Sequence, residues 1–275
     1  MNKPRHIPLQ TLKGSPTPGL FVKRIGEGER GAMKHDAHRD DYYMIALITE
    51  GRAIMSVDFK EVIISAGEAF IVSPSQVHFP SKASSGVKGW LMGISSEHFT
   101  EQEVELTAKY AINASPICCA NEVIDDINSL FEMLSRHFFH YPIAVPLALS
   151  IKSIVLFYAD TEIKNINDRY MTIVYQLKKL LAIKLNKEKS PSVYAGMLNI
   201  SEVYLNEAIK AVTGMNVSQF IRSQVVLTAK RKLAYTSLSA SEIAVELGYD
   251  DYAYFSKLFK KETGLSPTQY RKNLK

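Results

Sequence analysis

Cysteine is nearly absent: there are two in 275 residues, adjacent at Cys118 and Cys119. A disulfide-stapled secreted scaffold is therefore excluded, and so tight a pair makes a poor metal clip. The opening residues, MNKPRHIPLQTLKGSPTPGLF, have no apolar run of the kind a signal peptide needs. The most apolar stretch, Ile143 to Ala159, is broken by Pro146 and Lys152 and falls short of the roughly 20 apolar residues that span a bilayer. No Gly-rich phosphate loop, Ser/His/Asp set or zinc-type cysteine pattern is present. The expectation is a soluble, cytoplasmic chain that is not an enzyme, with no membrane partner, cofactor or metal.

What is present is a globular composition. Hydrophobic residues make up 46% and the formal net charge is +5, which excludes a disordered tail or a low-complexity array. At roughly 150 residues per domain, the length predicts two. The charge divides with them. From Asp168 to Lys275 there are 17 Lys+Arg against 9 Asp+Glu, net +8, which leaves the rest of the chain at −3. A basic half beside a mildly acidic one fits a protein of which one part meets a polyanion, although charge alone fits a solubilising face equally well.

From Leu20 to about Ser95 short apolar runs (Tyr42–Thr49, Ala53–Val57, Val62–Ile64, Ala69–Val72) alternate with Gly51, Gly67, Pro74 and Pro80. That rhythm predicts an antiparallel β barrel or sandwich, with a hairpin turning near Asp58–Glu61. After Ser96 the period becomes helical. Ile127, Leu130, Phe131, Leu134 and Phe138 share one face of a helix over Asp125–Phe139, the candidate dimerisation helix. The polar stretch DTEIKNIND coincides with the charge break and sets the boundary: an N-terminal domain over 1–167 and an all-helical domain over 168–275.

The helical domain contains a repeat. A shift of 50 positions superposes Ile200–Arg222 on Asp250–Lys272, with Tyr204/Tyr254, Lys210/Lys260, Thr213/Thr263, Gly214/Gly264 and Gln219/Gln269 identical. A shorter helix precedes each copy, with Ala195 or Ala244 where two helices cross closely, and a tight turn follows it, at Gly248 in the second unit. Two helix-turn-helix units result, although such a pattern also occurs in plain helical hairpins. Leu205, Phe255 and Phe259 are packing positions, Gly214 and Gly264 helix stops, and Pro267 the start of the last helix. Val203, Asn206, Glu207 and Lys210 fall on the outer face of the first unit, and Tyr252, Ala253, Ser256, Lys257, Lys260 and Lys261 on that of the second.

The stretch SEIAVELGYDDYAYFSKLFKKETGLSPTQYRK closely resembles the second helix-turn-helix and final helix of AraC/XylS-type transcription regulators. The resemblance covers about Asp168 to Asn273. It implies two recognition helices in successive major grooves of double-stranded DNA, with base contacts at Val203, Asn206, Glu207, Tyr252, Ala253, Ser256 and Lys257. Lys210, Lys260, Lys261 and Arg271 are assigned to phosphates. Val225, Ala208-Ile209 and Glu207 depart from residues common in the family. HRDDYYMIALITEGRAIMSVDF…ISAGEAFIVSPSQVHF looks like the family's N-terminal cupin-like barrel, so the fold class is α+β. The resemblance also implies a homodimer, a small-molecule effector bound among the side chains of Tyr42–Thr49 and Ala69–Val72, and RNA polymerase as a further partner. A barrel that only dimerises is the plainer alternative. Metal-binding cupins use an H-x-H pair, a carboxylate and a later His. Here His35 and His38 are three apart, and His38, Asp41 and His78 form only part of such a set. A cupin-type metalloenzyme and a helical adaptor for an acidic protein are the competing readings.

Overall fold

The protein is described here from a computed structural model covering residues 7–26, 37–113, 115–164 and 168–273. Two compact units divide it, Pro8–Asn165 and Ile166–Lys275.

The first unit carries strands β1 (Leu9–Gln10), β2 (Leu20–Ile25), β3 (Arg39–Asp40), β4 (Tyr43–Glu50), β5 (Arg52–Val57), β6 (Lys60–Ser65), β7 (Glu68–Val72), β8 (His78–Ala83), β9 (Lys88–Ile94) and β10 (Ile117–Cys118). Its helices are α1 (Glu101–Asn113), α2 (Asn121–Arg136) and α3 (Tyr141–Lys164). Five strands form one antiparallel sheet in the order β10-β7-β4-β9-β2, and β6-β5-β8 form a second. The expected hairpin joins β5 to β6 through Asp58 and Phe59, both at positive φ (48° and 67°), a two-residue turn that matches the twist of its strands.

β4 lies at the centre of the larger sheet, and Tyr43 to Ile48 are all buried. Leu47 sits directly across from Trp90, whose ring stacks on Phe131 of α2 at 5.6 Å and whose indole N–H donates to Asn128 at 2.8 Å. Because side chains alternate, Tyr43, Ile45 and Leu47 share this helix-covered face, while Met44, Ala46 and Ile48 occupy the other. The interior set expected from Tyr42–Thr49 is therefore halved.

Two helical expectations need refinement. The α2 stripe is only partly covered: Ile127, Phe131 and Leu134 are buried within their own unit, Leu130 and Phe138 are half-buried, and Met133 and Phe139 are exposed. α3 is longer than the apolar run suggested, and Tyr141–Thr161 is long and apolar enough to cross a membrane. Length is thus not what argues against a span. α3 instead behaves as a core helix: Ala144, Ala148, Ile151, Val155 and Ala159 are buried against α1 and α2. Its Lys152 is buried too, donating to Glu103 at 2.7 Å and to the His98 carbonyl at 2.8 Å. Burial works to raise the pKa of Glu103, but the hydrogen bonds from Lys152 and the Thr100 backbone outweigh it and hold the carboxyl below its usual range.

The regular elements described in the second unit are all helices: α4 (Asp168–Lys184), α5 (Pro191–Met197), α6 (Glu202–Thr213), α7 (Val217–Tyr235), α8 (Ala240–Glu246), α9 (Tyr252–Thr263) and α10 (Pro267–Asn273). Val174, Leu177, Leu181 and Leu185 pack inward, the first three from α4, and Leu205, Ala208 and Ile209 are fully buried on α6. The small Ala208-Ile209 pair is therefore core. Val225, buried in α7, is core as well.

Candidate nucleic-acid interface

α5–α6 and α8–α9 are two copies of one local design. Ser190 and Pro191 open α5, and Ser239 opens α8 with a capping box closed by Glu242. Each short helix ends in a corner at positive φ, Asn199 (54°) in the first and Gly248 (75°) in the second. The backbone then folds back identically: Ile200 N–H donates to the Ala195 carbonyl at 3.1 Å, and Tyr249 N–H to the Ala244 carbonyl at 2.9 Å. Both alanines are buried, since only a methyl fits where the helices cross. The shift between copies is 49 positions up to this corner and 50 beyond it, so the second turn carries one extra residue.

α6 and α9 are each 12 residues long. Ser201 caps α6 by accepting from the Tyr204 N–H, and Asp251 caps α9 by accepting from Ala253. Both stop at a left-handed glycine, Gly214 (φ 72°) or Gly264 (φ 78°). In each, the last-turn threonine donates to a carbonyl four residues back, Thr213 to Ile209 and Thr263 to Phe259. Phe255 and Phe259 are fully buried and Pro267 is buried at the start of α10.

The outer faces are as the repeat predicted. Val203 is 75% exposed. Glu207, Lys210, Ala253, Lys257, Lys260 and Lys261 are exposed, Tyr252 is partly so, and Asn206 and Ser256 are half-buried. Two assigned residues are also held internally. Asn206 accepts the Val217 N–H at 3.0 Å and so caps α7. Arg271 donates to the carbonyls of Leu233 (3.0 Å), Thr236 (3.3 Å) and Leu238, the end of α7 and the segment that follows. Its guanidinium closes the C-terminal end of α7, and its assignment to a phosphate is corrected accordingly. Net charge and helix position gave no sign of this, because the acceptors are backbone oxygens more than 30 positions away.

Residues 194–273 match the helix-turn-helix domain family, and residues 29–93 match the AraC-like ligand binding domain. The chain is an AraC/XylS-type protein. Among its relatives, the HTH-type transcriptional activator RhaR of Salmonella schwarzengrund is 32% identical over 100 residues, covering 36% of this chain and 36% of the relative. The match spans little more than a third of either protein. Among solved structures, the C-terminal domain of AraT, a response regulator from Geobacillus stearothermophilus, is 33% identical and covers 37% of this chain and 84% of that one, with a TM-score of 0.34. Unsaturated fatty acid bound ToxT from Vibrio cholerae is 15% identical over 92% of this chain and 94% of its own, with a TM-score of 0.42. These matches are to regulators and not to enzymes.

In the ligand-binding domain of this AraC/XylS-type chain, the histidine and carboxylate candidates are only partly as expected. His35 lies outside the described residues. His38 and His78 come together, but the carboxylate that joins them is Asp40 and not Asp41. His38 and Asp40 are two apart on extended backbone and share a face, whereas Asp41 falls on the other. Burial pushes the Cys119 thiol up to about 11, a group unsuited to redox switching at neutral pH.

Proposed function

We propose that the chain is a sequence-specific, DNA-binding transcription regulator that sets α6 and α9 into successive major grooves on one side of the duplex. The observation that carries this reading is the pair of capped 12-residue helices with polar and basic outer faces, both in the half with net charge +8. Helices of this size fit the major groove, roughly 12 Å wide, and grooves facing one side recur about every 34–36 Å. Base contacts are assigned to Val203, Asn206, Glu207, Tyr252, Ala253, Ser256 and Lys257. Asn206 Oδ1 already accepts from the Val217 N–H, which leaves one lone pair and the two NH2 hydrogens for a base edge. Glu207 suits a cytosine amino group. Lys210, Lys260 and Lys261 are assigned to phosphates. The cytoplasm is proposed as its compartment, since that is where the DNA of bacterial relatives lies.

Selection of bound oligonucleotides by the full chain, followed by competition against random duplex, tests the proposal. Lys257→Ala is expected to relax preference at one base position at a cost of about 1–3 kcal/mol. Lys260→Ala and Lys261→Ala weaken all sequences alike, each flattening the log–log salt slope by about one unit. An unchanged slope in both overturns the phosphate assignment.

The regulator is proposed to be a homodimer. With most of the α2 stripe covered, we assign the pairing face to α3, where Ile143, Leu147, Ser150, Ile154, Phe157 and Thr161 alternate in steps of four and three along the side turned from the core. That spacing is the seam of two paired helices, and Phe157 in it is 66% exposed. Phe157→Glu is expected to yield a folded monomer in sedimentation, and an unchanged dimer would place the interface elsewhere. An effector held against Met44, Ala46 and Ile48 and a contact with RNA polymerase complete the proposal; RhaR's description as an activator supports the latter.

A further inference from the structure

His38 and His78 face each other across a short antiparallel bridge and exchange both backbone hydrogen bonds, at 3.1 and 2.9 Å. Directly opposed residues carry their side chains on one face, and Asp40, two positions beyond His38, shares it. The three polar ends therefore converge. His78 Nε2 lies 3.3 Å from Asp40 Oδ2, His38 Nε2 lies 3.9 Å from Asp40 Oδ1, and the donor atoms all fall within 4.8 Å of one another. All three residues are buried, at 8%, 2% and 2% exposure for His38, Asp40 and His78.

The tautomer of His78 exposes an inconsistency in the site as a purely neutral one. Its Nδ1 lies 3.1 Å from the Gln76 carbonyl, which can only accept, so the proton is on Nδ1. In the neutral ring Nε2 is then a lone pair aimed at a carboxylate oxygen. Two buried acceptors at 3.3 Å repel unless a cation lies between them. Neither His78 Nε2 nor Asp40 Oδ1 has a hydrogen-bond partner among the described residues.

We infer that His38, Asp40 and His78 bind a divalent first-row transition-metal ion. Ligands about 2.0–2.2 Å from a tetrahedral ion sit roughly 3.3–3.6 Å apart; the 3.3 Å between His78 and Asp40 fits this, and the 3.9 Å between His38 and Asp40 is slightly wider. Two imidazoles and one carboxylate favour zinc, iron, cobalt or nickel over magnesium or calcium. The outer contacts also fit: His78 donates its second nitrogen to a carbonyl, and Asp40 accepts from the Tyr42 hydroxyl. Three protein ligands leave a position for water or an effector atom. The inference rests on this geometry alone and stands or falls separately from DNA binding.

The test is titration of the chelator-treated full chain with Zn²⁺ and Co²⁺, followed by calorimetry, thermal melting and the visible d–d bands of cobalt. One ion per chain, a raised Tm and cobalt bands are expected. Asp40→Asn and His78→Gln should each weaken binding by more than the roughly 10–100-fold typical of outer-shell changes. Replacing His137 and His140 together, away from the cluster, should leave binding intact. If Asp40→Asn does not fold, His38→Gln and the imidazole ¹⁵N shifts of the zinc-loaded chain identify the ligands directly. Failure of the unaltered chain to take up one equivalent of either ion overturns the inference, as does binding that survives loss of Asp40 and His78.

Discussion

Gly248→Ala will destabilise the C-terminal unit by about 2–5 kcal/mol, from a left-handed backbone penalty of about 1–2 and a forced overlap of about 1–3. Gly248 sits at φ 75°, and a Cβ there would lie 1.8 Å from the Asn186 carbonyl oxygen and 2.9 Å from its carbon. Neither atom can swing aside, because both belong to the backbone. Gly264→Ala is the control. Its φ is 78°, but nothing lies within 4 Å of the added methyl, so only the conformational part remains, about 1–2 kcal/mol. Denaturant unfolding of the two variants should separate them, and equal losses would remove the contact with Asn186 from the account. Asn199 holds the corresponding corner of the first unit, where a residue that tolerates positive φ suffices.

Arg271→Leu will lower stability by about 2–4 kcal/mol, since a charge-assisted hydrogen bond contributes about 1.5–3 and three are lost from a partly wet site. The same variant should leave the salt slope of DNA binding unchanged. A phosphate contact would instead lower that slope by about 0.9. Stability and slope therefore give opposite signatures for the two roles. A stable Arg271→Leu protein with a flatter slope would return the residue to the DNA surface and withdraw the clamp.

The sequence was most readable where structure is local. The Ser239–Glu242 box, the stops at Gly214 and Gly264 and the turn at Asp58–Phe59 each depend on a few neighbouring residues. Long-range pairing was not readable. Asp40 and Asp41 are chemically equal in the sequence, and only the bridge between His38 and His78 selects one of them. The apolar period of α2 was correct, but periodicity names a buried face without naming its partner, which proved to include Trp90. Arg271 illustrates the same limit, as a cation whose partners are carbonyls that no side-chain pattern reveals. On α6 and α9 the exposed residues followed from helical spacing, because every third or fourth position must share a side.

The extra residue in the second turn, and the unlike faces it serves, make a single chain directional. One helix offers Val203, Asn206 and Glu207, the other Tyr252, Ala253, Ser256 and Lys257. If both helices read one duplex segment as proposed, unlike faces select unlike half-sites, so each bound copy has a head and a tail along the DNA. Inverting such a segment would reverse the direction in which this helical unit lies along the DNA.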